Sequence, residues 1–332
     1  MATIASGWIS TTAADVKSTR ILLLGVNGQL GHALQTTLAT LGEVRALTRA
    51  QADLSDPGSL RETLEPLIAS FQPHAIVNAT AYTAVDKAEV ECDVARRVNA
   101  HSVGLLAQFA QSVNALFVHY STDYVFDGSG EQAWQEEDAT NPLSVYGQTK
   151  WLGERAAQQH CDKCLVLRTS WVVGLHGNNF LKSILRLAAE RDRLVVVADQ
   201  WGVPTSTSLL AQVTVKILQT MMQADALDPR FGTYHVAPSG ETSWHAYAQY
   251  VIAGALHRGA QLKALPASIE PISTSAYPLA APRPANSRLN TDKLRSTFGI
   301  ELPSWQAGVD AILDVVADPS SRDVTSFSTI KL

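Results

Sequence analysis

Gly25-Val26-Asn27-Gly28-Gln29-Leu30-Gly31 follows the apolar run Ile21-Leu22-Leu23-Leu24 and leads into a stretch of helical spacing, His32 to Leu41. A buried strand that turns through three glycines into a helix serves a specific physical purpose. Gly25 allows the tight turn, Gly28 lets backbone approach a diphosphate, and Gly31 lets the helix pack on the strand. The helix N-terminus then offers unpaired N–H groups and a positive dipole end to an anion. Between a strand and a helix this turn predicts a dinucleotide cofactor; a glycine-rich connection without a ligand would be spelled the same way.

The pattern continues downstream. Strands are predicted at Ile21–Leu24, Val44–Leu47, Ala75–Asn78, Leu116–Tyr120 and Leu165–Arg168. Helices are predicted at Gly28–Leu41, Pro57–Phe71, Asp93–Val113 and Tyr146–His160. Such alternation predicts an α/β, Rossmann-like doubly wound parallel sheet. After Trp171 the pattern loosens into a smaller mixed α/β unit. Its helices are expected at Phe180–Glu190, Thr207–Met222, Trp244–Ala255, Thr291–Phe298 and Trp305–Val316, and its short strands at Leu194–Val197 and Thr233–Val236. Prolines at 266, 271, 278, 282 and 284 mark a long loop or extended segment. The expected division is a flexible extension over 1–19, a dinucleotide-binding domain over 20–170, a mainly substrate-binding domain over 171–316 and a tail over 317–332. Some later segments are expected to return to the first sheet.

Composition narrows the function. The chain has 332 residues, 46% of them hydrophobic, and a net charge of −5 with no basic stripe, which argues against nucleic acid as a partner. No apolar stretch reaches the roughly 18 residues of a membrane span. Residues 1–19 are rich in Ala, Ser and Thr and lack the apolar core of a secretion signal. Three cysteines do not make a disulfide framework, which suits a reducing cytoplasm. Cys161 and Cys164 form a CxxC, but no second ligand pair accompanies it. It precedes a strand rather than opening a helix, so it reads as a helix-to-strand turn.

The middle third carries the chemistry. Tyr146 and Lys150 stand four apart, on one face of a helix. A free Tyr has a pKa of about 10, so phenolate near neutrality needs a shift of about 3 units, or about 4 kcal/mol. A lysine ammonium and an oxidised nicotinamide nearby favour that shift. Thr122 lies at the carboxyl edge of the sheet, where open α/β folds bind ligands. Its hydroxyl is suited to a substrate carbonyl, or alternatively to capping the strand end.

The glycine turn, Thr122, Tyr146 and Lys150 together resemble the extended short-chain dehydrogenase/reductase superfamily. Further blocks narrow the resemblance: Val77-Asn78-Ala79-Thr80-Ala81-Tyr82-Thr83-Ala84-Val85-Asp86-Lys87-Ala88-Glu89, HYSTDYVFDG from His119, Arg168-Thr169-Ser170-Trp171-Val172, DQWGVPT from Asp199 and RPANSRL from Arg283. From about Arg20 to Val316 the chain resembles the dTDP-4-dehydrorhamnose reductase family. The resemblance implies reduction of the carbon-4 ketone of a dTDP-sugar with NADPH, NADH being possible. Tyr146 would give the proton, Lys150 would lower its pKa and hold the nicotinamide ribose, and Thr122 would orient the substrate oxygen. Gly25, Gly28, Gln29, Leu30 and Gly31 match the diphosphate turn, Asp53 and Leu54 the adenine side, and Thr80, Ala81 and Tyr82 the cofactor ribose. Asp123 and Trp171 match substrate-side positions, and Arg283 and Arg288 suit a nucleotide diphosphate.

Two departures refine this. The strand Val44–Leu47 is followed by Thr48-Arg49 rather than by the acidic residue of NAD-selective enzymes, so NADPH is the expected cofactor. Some family members place glutamates around magnesium at a dimer contact. The matching position here is Ala33, so no metal is expected, and the chain is read as a monomer or homodimer. A nucleotide-sugar epimerase or dehydratase is the nearest alternative, but dehydratases carry Thr-Asp-Glu where this chain has Thr122-Asp123-Tyr124. A non-catalytic subunit, like the regulatory subunit of methionine adenosyltransferase, is the other.

Overall fold

A computed structural model describes residues 19–317. The extension and the tail expected from the sequence lie outside these residues, except for Thr19 and Ala317.

The first half alternates as its pattern predicts. In order come β1 (Arg20–Leu24), α1 (Gln29–Leu38), β2 (Glu43–Leu47), α2 (Pro57–Phe71), β3 (Ala75–Asn78), short helices α3 (Val85–Ala88) and α4 (Cys92–Arg96), and α5 (Ser102–Ser112). They are followed by β4 (Leu116–Thr122), α6 (Val145–His160) and β5 (Cys164–Thr169). The second half runs β6 (Val172–Val173), α7 (Phe180–Glu190), β7 (Leu194–Val197), β8 (Trp201–Gly202), β9 (Thr205–Ser206), α8 (Thr207–Met221) and β10 (Gly232–His235). It closes with β11 (Thr242–Ser243), α9 (Trp244–His257), β12 (Ile269–Ile272), α10 (Asp292–Phe298) and α11 (Trp305–Val316).

Six strands form one parallel sheet in the order β10-β5-β4-β3-β1-β2. Its sixth strand, β10, pairs with β5, so residues well beyond 170 complete the first sheet. Side chains alternate between two buried faces, which explains why these strands read as continuous apolar runs. Ile21, Leu23, Val77 and Val118 pack with α1, α8 and α10, while Leu22, Leu24, Ile76 and Phe117 pack with α2, α5 and α6. A separate core joins α7, α9 and α11 to the two-stranded β7–β12 ladder. Pro271 sits in β12, which pairs on one side only, the setting a proline tolerates in a strand. Among the described residues no helix is long and apolar enough to cross a membrane.

Neighbouring β1 and β3 mark the point where the strand order reverses, and ligands of open α/β sheets bind beyond the carboxyl ends there. Gly25 lies at that point with φ of +86°, a left-handed conformation that favours glycine. A Cβ on Gly31 would stand 2.0 Å from the Gly25 carbonyl oxygen, so the helix sits against the turn as closely as the sequence requires. Gly31→Ala is therefore expected to destabilise the fold by about 1–3 kcal/mol through overpacking, read as a lowered Tm with weakened cofactor binding. Gly28→Ala, whose Cβ would meet only the Gly25 oxygen at 3.2 Å, should cost less.

One helix departs from expectation. The pattern over Asp93–Val113 predicts an unbroken α-helix, but Arg97–His101 forms a π-turn between α4 and α5. The wider turn carries Asn99 inward, where it is 1% exposed. Its side chain binds both the N–H and the carbonyl of Tyr82, and also the Thr149 hydroxyl. A π-bulge leaves the apolar periodicity nearly intact, which is why the sequence does not reveal it.

Candidate active site

α1 begins at Gly28 with no side-chain cap, so the N–H groups of its first turn face outward past the glycine turn. Leu30 is buried in the core and Gln29 is engaged by Asn179, so it is their backbone that can meet an anion. A cavity of about 410 Å³ opens beside this turn. It is lined by Gly25, Gly28, Arg49, Asp53, Leu54, Thr80, Ala81 and Tyr82, all expected from the sequence as cofactor contacts. Thr48 is tied to Gln51 through its hydroxyl. The Arg49 side chain is 77% exposed at the rim, with one long contact of 3.5 Å to Asp53. Asp53 accepts the backbone N–H and hydroxyl of Ser55. Tyr82 donates to Glu91, and burial together with that carboxylate pushes its phenol up to about 12.

A shape of this kind fits a dinucleotide. The turn has no side chain to obstruct a diphosphate, the helix end supplies free donors, and an exposed cation stands at the cavity rim.

The residues expected to carry the chemistry come from β4 and α6. Thr122, at the end of β4, accepts the N–H of Tyr124 and donates to Asp123 at 3.0 Å. Asp123 is 2% exposed and its Oδ2 has no partner. Burial pushes its carboxyl up to about 6, against the lowering effect of hydroxyls from Ser287 and Thr122. Ser144 caps α6 by accepting from Gly147, which fixes Tyr146 in the first turn. Tyr146 packs edge-on against Tyr124, their centroids 5.5 Å apart. The structure thus brings Thr122, Asp123 and Tyr146 together, since the Thr122 hydroxyl and the Asp123 charge both act on the phenol.

Lys150 lies inside the fold, beside β4. It is 1% exposed, and its Nζ donates to the Tyr120 carbonyl at 2.6 Å and lies 3.3 Å from His119 Nε2. Burial lowers it to about 8, partly offset by Glu154. Burial raises the Tyr146 phenol to about 12. Sequence reasoning missed His119 and Asn99. Each was legible only as a polar residue inside an apolar stretch.

The substrate-side residues are also pinned. Trp171 has φ of +45°, rare for a bulky residue, and stacks on Trp244 at 3.6 Å. One face of its indole is therefore already covered. Arg283, expected on the diphosphate side, is tied down by a carboxylate. It pairs with Asp86 at 2.6 Å, and Asp86 also accepts the Ala281 N–H. Arg288 pairs with Glu241 and lies 5.0 Å from the Trp201 ring centroid. A second cavity of about 350 Å³ joins Arg283 to Tyr124, Phe180, Gln200 and Trp244. His160, Cys161 and Cys164 stand at the α6–β5 turn as expected, with both cysteines buried and free. Ala33 packs against the core, and among the described residues no three His, Cys, Asp or Glu side chains cluster as metal ligands do.

Comparison with known proteins agrees with this geometry. The family model described as RmlD substrate binding domain matches residues 19–317. The dTDP-4-dehydrorhamnose reductase of Escherichia coli K12 is 45% identical over 89% of this chain and 97% of its own. That of Salmonella typhimurium is 46% identical over 88% and 96%. The crystal structure of the Bacillus anthracis dTDP-4-dehydrorhamnose reductase in complex with NADP superposes with a TM-score of 0.80 at 33% identity, covering 89% of this chain and 99% of that one. With a six-stranded parallel sheet, a glycine turn at its switch point and likeness along almost its whole length, the chain belongs to the dTDP-4-dehydrorhamnose reductase family, a family of oxidoreductases.

Proposed function

We propose that the protein reduces the carbon-4 ketone of dTDP-4-dehydro-β-L-rhamnose to dTDP-β-L-rhamnose with NADPH, and that Tyr146 donates the proton. The observation that carries this reading is the meeting of Thr122, Asp123 and Tyr146 at the carboxyl edge of β4. The cofactor-shaped turn and cavity lie across the switch point of the same sheet. The reduced nicotinamide supplies hydride when bound.

The chain's own residues do the rest. The phenol raised to about 12 stays protonated at neutral pH, so the acid is present in its useful form. An alkoxide forming at carbon 4 is more basic than phenolate, so the proton passes downhill from Tyr146 to the sugar oxygen. Thr122 holds that oxygen in line. Lys150, close to neutrality in its own titration, is suited to return a proton to the emptied tyrosine. Most of the rate would come from alignment in a water-poor site. Arg283, displaced from Asp86, and Arg288 would meet the nucleotide diphosphate, and Trp171 would offer its free face to the sugar.

The test is substrate-dependent loss of NADPH absorbance with the dehydro-sugar generated in situ. Oxidation of NADPH supports the reading, and no oxidation of either NADPH or NADH would overturn it. The NADPH preference rests on Arg49. In Arg49→Ala the ratio of kcat/KM for NADPH over NADH should fall by about tenfold, the worth of one charge-assisted phosphate contact. Wild type favouring NADH, with a ratio unmoved in the variant, would remove the 2′-phosphate assignment.

A further inference from the structure

β4 carries a histidine that this chemistry leaves unused. His119 is wholly buried between β3 and α6. Its Nδ1 lies 3.1 Å from Asn78 Nδ2, and its Nε2 lies 3.3 Å from Lys150 Nζ. The Asn78 amide is oriented from its other side. The backbone N–H of Thr80 donates to Asn78 Oδ1 at 3.1 Å, and the Thr80 hydroxyl donates to the same oxygen. A backbone N–H can only donate, so the atom it meets is the amide oxygen and the group facing His119 is the NH₂. Nδ1 must then accept, and a neutral imidazole carries its proton on the other nitrogen.

We infer that His119 is a positioning residue for Lys150. Its Nε2–H donates to the Lys150 amine, holds that side chain against the Tyr120 carbonyl and opposes its protonation. The inference deepens the reading of Lys150 as proton source for Tyr146 and rests on it.

If Lys150 were an ammonium, two donors would face each other across 3.3 Å. A neutral amine resolves the conflict, because its lone pair accepts from Nε2–H while an N–H still reaches Tyr120. The consequence is a bias in one step. When Tyr146 has become phenolate, an N–H bond of the Lys150 ammonium breaks, an O–H bond forms on Tyr146, and the amine left behind is the form His119 stabilises. The other charged groups around Lys150 are Glu154, one turn on in α6, and Arg168 on β5, which pairs with Glu154. Glu154 acts against this bias and His119 with it. Burial holds the ring far below the usual histidine range, so it stays neutral. Thr80 lines the cofactor cavity, so the chain Thr80–Asn78–His119–Lys150 ties the cofactor-side loop to the lysine.

Nitrogen-15 NMR of the histidine-labelled protein tests the tautomer without substrate, with the His119 signals assigned by their absence in His119→Gln. The expected pattern is a protonated Nε2 and a bare Nδ1, unchanged through the range in which an ordinary histidine titrates. A bare Nε2, or a ring that titrates in that range, would overturn the inference. The second readout is the pH profile of ketone reduction. In His119→Leu the limb governed by Lys150 should move up by about one pH unit, the worth of one hydrogen bond. His119→Gln, which restores an N–H donor, should move it back toward wild type. A limb at the same pH in all three proteins would refute the positioning role. If no form reduces the ketone, the proposed function fails and the NMR tautomer still decides the arrangement at His119.

Discussion

Tyr146→Phe should lower kcat for ketone reduction by about a hundredfold to ten-thousandfold, the span usual for removing a positioned general acid. The substitution removes one oxygen and keeps the ring that packs edge-on against Tyr124. The Ser144 cap and the fold of α6 do not involve that oxygen, so stability should hold within about 0.5 kcal/mol of wild type. The comparison should be made at saturating cofactor, because KM for NADPH is expected to change little while kcat collapses. That split separates an acid acting in the transition state from a residue that only binds. Activity within a few-fold of wild type would remove Tyr146 as the proton source and leave buried Asp123, raised to about 6, as the nearest other acid.

Glu154→Ala should produce the largest loss of stability, about 3–5 kcal/mol. Glu154 and Arg168 form a two-pronged pair with bonds of 2.9 and 2.8 Å, and their side chains are 3% and 6% exposed. Removing the carboxylate leaves a guanidinium in the core without its two-pronged partner, beside the Glu136 carbonyl and the Phe126 ring. The same change withdraws the negative charge that supports the Lys150 ammonium, so any activity left in the variant should lose its alkaline side first. The double change Glu154→Met with Arg168→Leu should regain most of the lost stability, because it removes both desolvated charges. Chemical denaturation of wild type, Glu154→Ala and the double variant reads these differences. Equal stability of Glu154→Ala and wild type would contradict the buried-pair account.

The two predictions draw on different levels of information. Tyr146 and Lys150 could be read from spacing alone, since four residues on a helix define one face. The glycine turn was equally legible, because a tight turn, a close helix and an open helix end each demand residues without side chains. The strand and helix order of the first half followed from apolar runs of fixed length.

Other features could not be read that way. Glu154 and Arg168 stand 14 residues apart on different elements, and only the packing of α6 on β5 makes them a pair. Arg283 was read only as a diphosphate contact, and the fold brings Asp86 to it from nearly 200 residues away. Asn99 turns inward because of one extra residue in a helical turn, a change too small to disturb periodicity. Local pattern thus determined the elements, the glycine turn and the placing of Tyr146 and Lys150 on one helix face. Tertiary structure decided the electrostatics, because the charge a group bears depends on how deeply it is buried and on which distant partners the fold delivers. Burial raises the Tyr146 phenol and lowers the Lys150 amine, which spacing alone does not show.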